Sequence, residues 1–246
     1  MTMLDASNTS KEIQENQPEI AVFGVGAVEQ HSIHLALGTD WLGVKDITQR
    51  VADELDAFLV PALPFSMSEC HGPMAGTVWL RPETLAAVLH DMVLSLYAQG
   101  FRKVLVINGH GGNFVLEAEI RQLNLINPDL IVIMPPLFFP SRPGDEPIWD
   151  KGVGIHASES ETAHQMYINP EHVKEKRVDY MPPVGREFLD YAFVGFISET
   201  GVWGYPSYAT AEKGQRSIAR KVPRIAEWAR DTFAAVETLR TQQKEA

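Results

Sequence analysis

The apolar positions of this chain fall into two alternating patterns. Ile20–Val25 is a short, nearly continuous apolar run, which predicts a first buried strand. Leu42, Val44, Ile47, Val51 and Leu55 then recur near helical spacing and predict a helix. Residues 58–63 predict a second strand, ended by Pro64. A strong helix follows over 83–98: Leu85, Val88, Leu89, Met92, Val93 and Leu96 fill one broad face, and Gly100 stops it. Residues 104–107 predict a third strand, 114–125 a third helix and 130–134 a fourth strand. This βαβαβαβ order implies an α/β fold with a mostly parallel sheet and helices on both sides.

Beyond Met134 the pattern loosens. Pro135, Pro136, Pro140, Pro143 and Pro147 punctuate a long excursion, and long loops in compact domains are usually functional or disordered. Residues 159–167 resume helical character. Residues 180–208 concentrate Gly, Pro and aromatics and are expected to cover a pocket or make a subunit contact. Tyr191, Phe193, Phe196 and Tyr205 suit either stacking on a flat substrate or burial in an interface. Residues 209–239 predict a helix that Pro223 breaks or kinks. Residues 1–18 are polar and are expected to form a flexible arm before a single α/β domain over 19–246.

Composition narrows the partners. A length of 246 residues, with 45% apolar and 22% charged, suits one large domain with a sizeable core. The net charge of −11, with no basic face, argues against nucleic acid or an anionic membrane as the main partner. No apolar run is long enough to span a bilayer, and the first residues lack the basic start and apolar stretch of a secretory signal. A cytoplasmic enzyme is the expectation. The single cysteine, Cys70, has no internal partner for a disulfide. A packing or pocket role is expected for it ahead of a nucleophilic one.

Four segments concentrate metal-ligand residue types. Glu29-Gln30-His31 follows the first strand, and residues i and i+2 of an extended segment point to one side. Thr39-Asp40 precedes the first helix, where either residue would also serve as an N-cap. Residues 108–113, Asn-Gly-His-Gly-Gly-Asn, follow the third strand and expose His110 at the carboxyl edge of the sheet, where α/β folds bind ligands. A glycine-rich turn there would suit a phosphate, but the Lys-Ser or Lys-Thr pair of a P-loop is missing. His156 to Thr162 sits at a helix start, where Glu159 and Glu161 also favour the helix dipole. Gly24-Val25-Gly26 lacks the third glycine of a dinucleotide fingerprint, position 29 being Glu, and no Gly-x-Ser-x-Gly elbow exists. Mixed histidine and carboxylate donors without thiolates suit Zn, Mn or Fe(II) in hydrolytic chemistry.

In these motifs the chain resembles the creatininase (creatinine amidohydrolase) family. The resemblance rests on Gly26 to His31, His34-Leu35, Gly38-Thr39-Asp40, His71, Gly76-Thr77, Asn108 to Asn113, His156-Ala157 and Glu161-Thr162, in family order. It implies a three-layer α/β/α fold, two divalent metal ions (Zn, Mn or Fe(II)) and hydrolysis of a carbon–nitrogen bond. Glu29, His31, Asp40 and His110 would be ligands, with Asp40 bridging. Creatininase has a glutamate where this chain has Gly112, and Glu161 is the natural substitute, although Ser158-x-x-Glu161 also fits a capping box. His156 matches a proton-transferring histidine, and His156 and Glu161 are the catalytic candidates. His34, His71 and Trp203 are candidates for the pocket wall. Ser32, Ile33, Ala36 and Ser158 depart from the residues usual in the family.

The resemblance implies a metal-bridging hydroxide attacking the carbonyl of a small cyclic amide or related compound. Relatives that act on formamides, cyclic ketones or peptides keep the substrate open. It also implies a homo-oligomer, with a hexamer as the family precedent. The rival from another class is a non-catalytic small-molecule-binding domain, which would explain the glycine turns but not the clustered ligands.

Overall fold

The computed structural model describes residues 3–152 and 154–245. Five parallel strands form one sheet in the order β1-β3-β2-β4-β5. They are β1 (Leu4–Asp5), β2 (Ile20–Val25), β3 (Phe58–Leu59), β4 (Lys103–Asn108) and β5 (Ile131–Ile133). The helices are α1 (Ser10–Asn16), α2 (Thr39–Glu54), α3 (Pro82–Ala98), α4 (Val115–Ile126), α5 (Glu159–Ile168), α6 (Val194–Ile197) and α7 (Ala211–Glu245).

Alternation along β2 divides the core into two layers. Ala21, Phe23 and Val25 pack with Leu85, Leu89 and Val93 of α3 and Leu116 and Leu123 of α4. Val22 faces the other way, toward Val44, Ile47 and Val51 of α2 and Ile218, Val222, Ile225 and Phe233 of α7. The three-layer α/β/α architecture follows from a central strand that is apolar on both faces.

Three elements differ from their sequence expectation. The second strand stops at Leu59, although Val60 N and Leu63 N still donate to Val22 O and Gly24 O at 2.9 Å each. Pro61 lies between them and has no N–H for the ladder. Helix α7 runs on through Pro223 without a break. Pro223 is exposed, and the stripe Ile218, Val222, Ile225, Ala229 and Phe233 docks the helix on the sheet, which outweighs one lost hydrogen bond.

The third difference is the expected flexible arm over 1–18, whose first two residues lie outside the described ones. Leu4–Asp5 adds an edge strand to β3. Helix α1 carries a capping box in which Thr9 N donates to Glu12 Oε2 at 2.7 Å and Glu12 N to Thr9 Oγ1 at 3.3 Å. Ile13 packs against the Leu85–Leu89 side of the core. Polar composition conceals this because one partly buried apolar side chain and one cap suffice to dock a short helix. Ile13→Ala is expected to cost about 1 kcal/mol, measured by denaturant unfolding, whereas a loose arm would leave stability unchanged.

Candidate metal centre

The carboxyl ends of β2 and β4 deliver the centre. Gly26 follows β2, and a Cβ there would lie 2.4 Å from Trp41 Cα. Glycine therefore lets the start of α2 press onto the strand end and brings Asp40 beside Glu29 and His31. Gly38 occupies the N-cap of α2, and Thr39 Oγ1 donates to Ala36 O at 2.7 Å. Asp40 thus does not cap the helix. Its carboxylate points into the centre. After β4, Asn108 Oδ1 accepts from His110 N and Asn113 Nδ2 at 3.1 Å each, which fixes the turn that presents His110.

Asp40 stands between two histidines: Oδ1 lies 3.5 Å from His31 Nε2, and Oδ2 lies 3.1 Å from His110 Nδ1. Glu29 Oε2 is 3.3 Å from His110 Nε2, and Glu29 Oε1 is 3.4 Å from both His71 Nε2 and His156 Nδ1. Glu29 and His31 are completely buried. His31 Nδ1 donates to Glu29 O at 3.1 Å, which turns its Nε2 toward the Asp40 carboxylate. Both Glu29 oxygens, His31 Nε2 and His110 Nε2 are buried without a hydrogen-bond partner. Converging buried metal-ligand atoms without hydrogen-bond partners fit a cation among them. Glu29-His31-Asp40, His31-His156-Glu161 and Glu29-His71-His156 each bring three donor atoms within 4.8 Å.

The protonation of these groups follows from burial and from one another. Burial raises the Glu29 carboxyl to about 7 and the Glu161 carboxyl to about 7. Burial disfavours charge on His31 and His110, but Asp40 and Glu29 overcome it and raise them to about 10 and about 9. Asp40 is held well below the usual carboxylate range: burial works against it, and His31 and His110 prevail. Burial pushes His71 down to about 3 and also lowers His156. Without a metal, two imidazolium protons supply the positive charge that the carboxylates require.

Glu161 lies in the first turn of α5 and serves two purposes. Its Oε2 accepts from Ser158 N at 3.3 Å, closing the capping box. It also joins His31 and His156 in one donor triad. The structure accounts for Gly112 as well. A Cβ at that position would sit 2.5 Å from His110 Nε2 and 2.7 Å from Met67 O, so no side chain fits beside the ring.

The other candidates separate into different roles. His71 reaches Glu29, and Gln30 Nε2 donates to its Nδ1 at 2.8 Å. It braces the centre as well as lining the cavity above it. Gln30 is a bracing residue that the sequence left unremarked inside its motif, and its backbone O accepts from His156 Nε2 at 2.6 Å. His34 lies behind the centre, its Nε2 bonded to Thr162 Oγ1 at 3.0 Å. Trp203 is buried, pairs with His156 through the backbone and lines the cavity. Burial raises the Cys70 thiol to about 12, so it is not a poised nucleophile.

Asp40, His71, His110, His156 and Glu161 lie in the wall of a cavity of about 1630 Å³. Tyr191, Phe193 and Phe196 from the 180–208 segment line it, whereas Tyr205 packs on Tyr208 instead.

A buried set of histidines and carboxylates at the carboxyl edge of a parallel α/β/α sheet defines this chain as a metal-dependent hydrolase. It belongs to the creatininase family, whose sequence profile (creatinine amidohydrolase) matches residues 6–229. A mycofactocin precursor peptide peptidase of Mycobacterium tuberculosis (strain CDC 1551 / Oshkosh) is 30% identical over 240 residues, covering 90% of each chain. A creatinine amidohydrolase-like protein from Bacteroides fragilis NCTC 9343 has a TM-score of 0.77 at 29% identity, covering 93% of this chain and 96% of that one. A creatininase variant of the Zn-Zn type shares the fold, with a TM-score of 0.76 at 21% identity and coverage of 95% and 99%. Among the described residues, no helix is long and apolar enough to cross a membrane.

Two outcomes follow from this geometry. Metal binding is expected to release roughly two protons per chain, from His31 and His110. Affinity for Zn or Mn should weaken as pH falls through about 10 and then about 9, the values to which His31 and His110 are raised. Calorimetry in buffers of different ionisation enthalpy measures both, and pH-independent affinity without proton release would contradict the assignment. Gly112→Ala should displace His110 and lower bound metal by elemental analysis, while full metal content would show that the ring has room.

Proposed function

We propose that this chain hydrolyses an amide carbon–nitrogen bond with two divalent ions, Zn, Mn or Fe(II). The observation that carries the reading is Asp40, whose two oxygens face His31 and His110 amid buried ligand-type atoms that have no hydrogen-bond partner. Glu29, Asp40 and His110 would hold one ion, and His31, Asp40 and Glu161 the other. Such a pair, when bound, lowers the pKa of water and polarises a carbonyl.

The protein's own groups supply the remainder. His156 donates its Nε2 proton to Gln30 O, which leaves the Nδ1 lone pair facing the centre. Burial keeps this ring neutral, so it can take a proton and pass it to the departing amine. His71, held by Gln30 at 2.8 Å and lying 3.4 Å from Glu29 Oε1, packs against that carboxylate and would help position it, as the neighbours of metal ligands do.

Substrate size is the second part of the reading. The cavity of about 1630 Å³ exceeds the roughly 300–1000 Å³ typical of small-ligand pockets. Its width and aromatic wall favour an extended, peptide-like amide over the small cyclic amide expected from the sequence. A relative named as a precursor peptide peptidase supports the same choice. The exposed rings of Phe114, Tyr191 and Phe196 at this wall also suit contact with a second copy of the chain, which supports the homo-oligomer expected from the family resemblance and the aromatic 180–208 segment.

The test is metal content and turnover of Glu161→Gln beside His156→Ala, on panels of peptides, cyclic amides, formamides and cyclic ketones. Glu161→Gln should lose one ion and nearly all activity. His156→Ala should keep both ions and lose about 10²–10⁴-fold in rate, the range for general acid–base groups. The opposite pattern would exchange the two roles, and a protein that takes up no metal would end the two-ion reading. Turnover of only the small rings would restore the cyclic-amide reading.

A further inference from the structure

The face of α5 that carries Glu161 continues away from the metal centre. His164 follows at three residues, the spacing that stacks side chains on one helix face, roughly 4.5 Å further along the axis. His164 Nε2 shares a 2.8 Å hydrogen bond with Ser217 Oγ of α7. Lys221 lies four residues beyond Ser217, on the same side of α7. All three line the cavity, and Trp149 meets His164 edge-on with ring centres 6.0 Å apart.

Lys221 is distinct among the cations of this wall. Arg224 pairs with Asp145 at 2.6 Å, Arg220 donates to Glu146 O at 2.8 Å, and Arg186 donates to Gly111 O at 2.5 Å. Among the described residues, Lys221 has no hydrogen-bond or ion-pair partner, although it is partly buried. Burial lowers its pKa for want of a counter-charge. His164 is driven down to about 3 by burial and by the Lys221 charge, so it stays a neutral hydrogen-bonding group. Asp145, the nearby carboxylate of the same wall, is already taken by Arg224 and Arg142 N. An ammonium partly removed from water and without a partner is disfavoured, and an anion brought by a ligand offsets that cost.

We propose that Lys221, together with Ser217 and His164, binds a carboxylate of the substrate. The site lies on the face of α5 about one turn beyond Glu161. The inference rests on the amide-hydrolase reading and adds to it a substrate class: amides that carry a free carboxylate near the bond that is cut. Ser217 and His164 would offer hydrogen bonds, Lys221 the charge and Trp149 an apolar flank, a combination that selects an acid over its neutral isostere.

The experiment compares the metal-loaded full chain with Lys221→Met, Lys221→Arg and the remote control Lys11→Met. Amide substrates are offered in pairs, each a free acid and its carboxamide. The acid-to-carboxamide ratio of kcat/KM should be at least about tenfold in the original chain and in Lys11→Met. It should fall toward unity in Lys221→Met and be largely restored in Lys221→Arg. Calorimetry with N-acetylglycylglycine and its carboxamide provides an arm independent of turnover. The acid should bind at least about tenfold more weakly to Lys221→Met, and the carboxamide equally to both. An unchanged ratio, or equal binding of the acid by both proteins, would overturn the site. Absence of any amide turnover by the original chain would overturn the hydrolase reading alone, because the binding arm still decides the carboxylate site.

Discussion

Three carboxylates, Glu29, Asp40 and Glu161, converge at one edge of the sheet, and Glu29 and Asp40 are almost without access to water. Carboxylates removed from water repel one another unless positive charge stands between them. That requirement organises the rest of the site. His31 and His110 are raised far above the ordinary imidazole range because they supply the charge in the absence of metal. Four of the centre's ligand-type atoms have no hydrogen-bond partner among the described residues, as expected of groups whose partner is an ion. Such a cluster lowers the stability of the bare protein and stores affinity for divalent metal.

The fold holds this cluster by close backbone approach. Two strand ends, β2 and β4, lie side by side in register from Ile20↔Lys103 to Val25↔Asn108, which sets Glu29 and His110 on adjacent loops. Gly26 admits the start of α2, and Gly112 leaves room for the His110 ring. Strain collects beside residues of the centre: Ser32 follows His31 at φ 62°, and Ala157 follows His156 at φ 46°. Left-handed backbone at non-glycine residues is costly and persists where surroundings enforce it. Ser32 is itself one of these points and Ser158 follows the other, and both depart from the residues usual in the family.

Much of this was legible in the sequence because it rests on periodicity and on local motifs. The apolar run of β2, the helical face of α3 and the Asn-Gly-His turn after β4 each announce their place without tertiary information. The N-terminal segment was not legible, since α1 is held by a single apolar residue, Ile13, within a polar stretch. Gln30 and His71 could be seen as motif residues, but their bond links positions 41 residues apart and appears only on folding. Lys221 looked like any helix-surface lysine. Asp145, a carboxylate of the same cavity wall, pairs with Arg224 across 79 residues, a contact that only folding reveals. Glu161 had two readings in the sequence, cap and ligand, and the structure closes the capping box while placing the same carboxylate in a donor triad.

The account stands on Asp40 as the group shared by two ions. Anomalous X-ray diffraction from crystals of Zn- or Mn-loaded protein tests this directly. Two anomalous peaks about 3.5–4 Å apart, one on each side of the Asp40 carboxylate, are the predicted result. A single peak, or two that do not share Asp40, would contradict it.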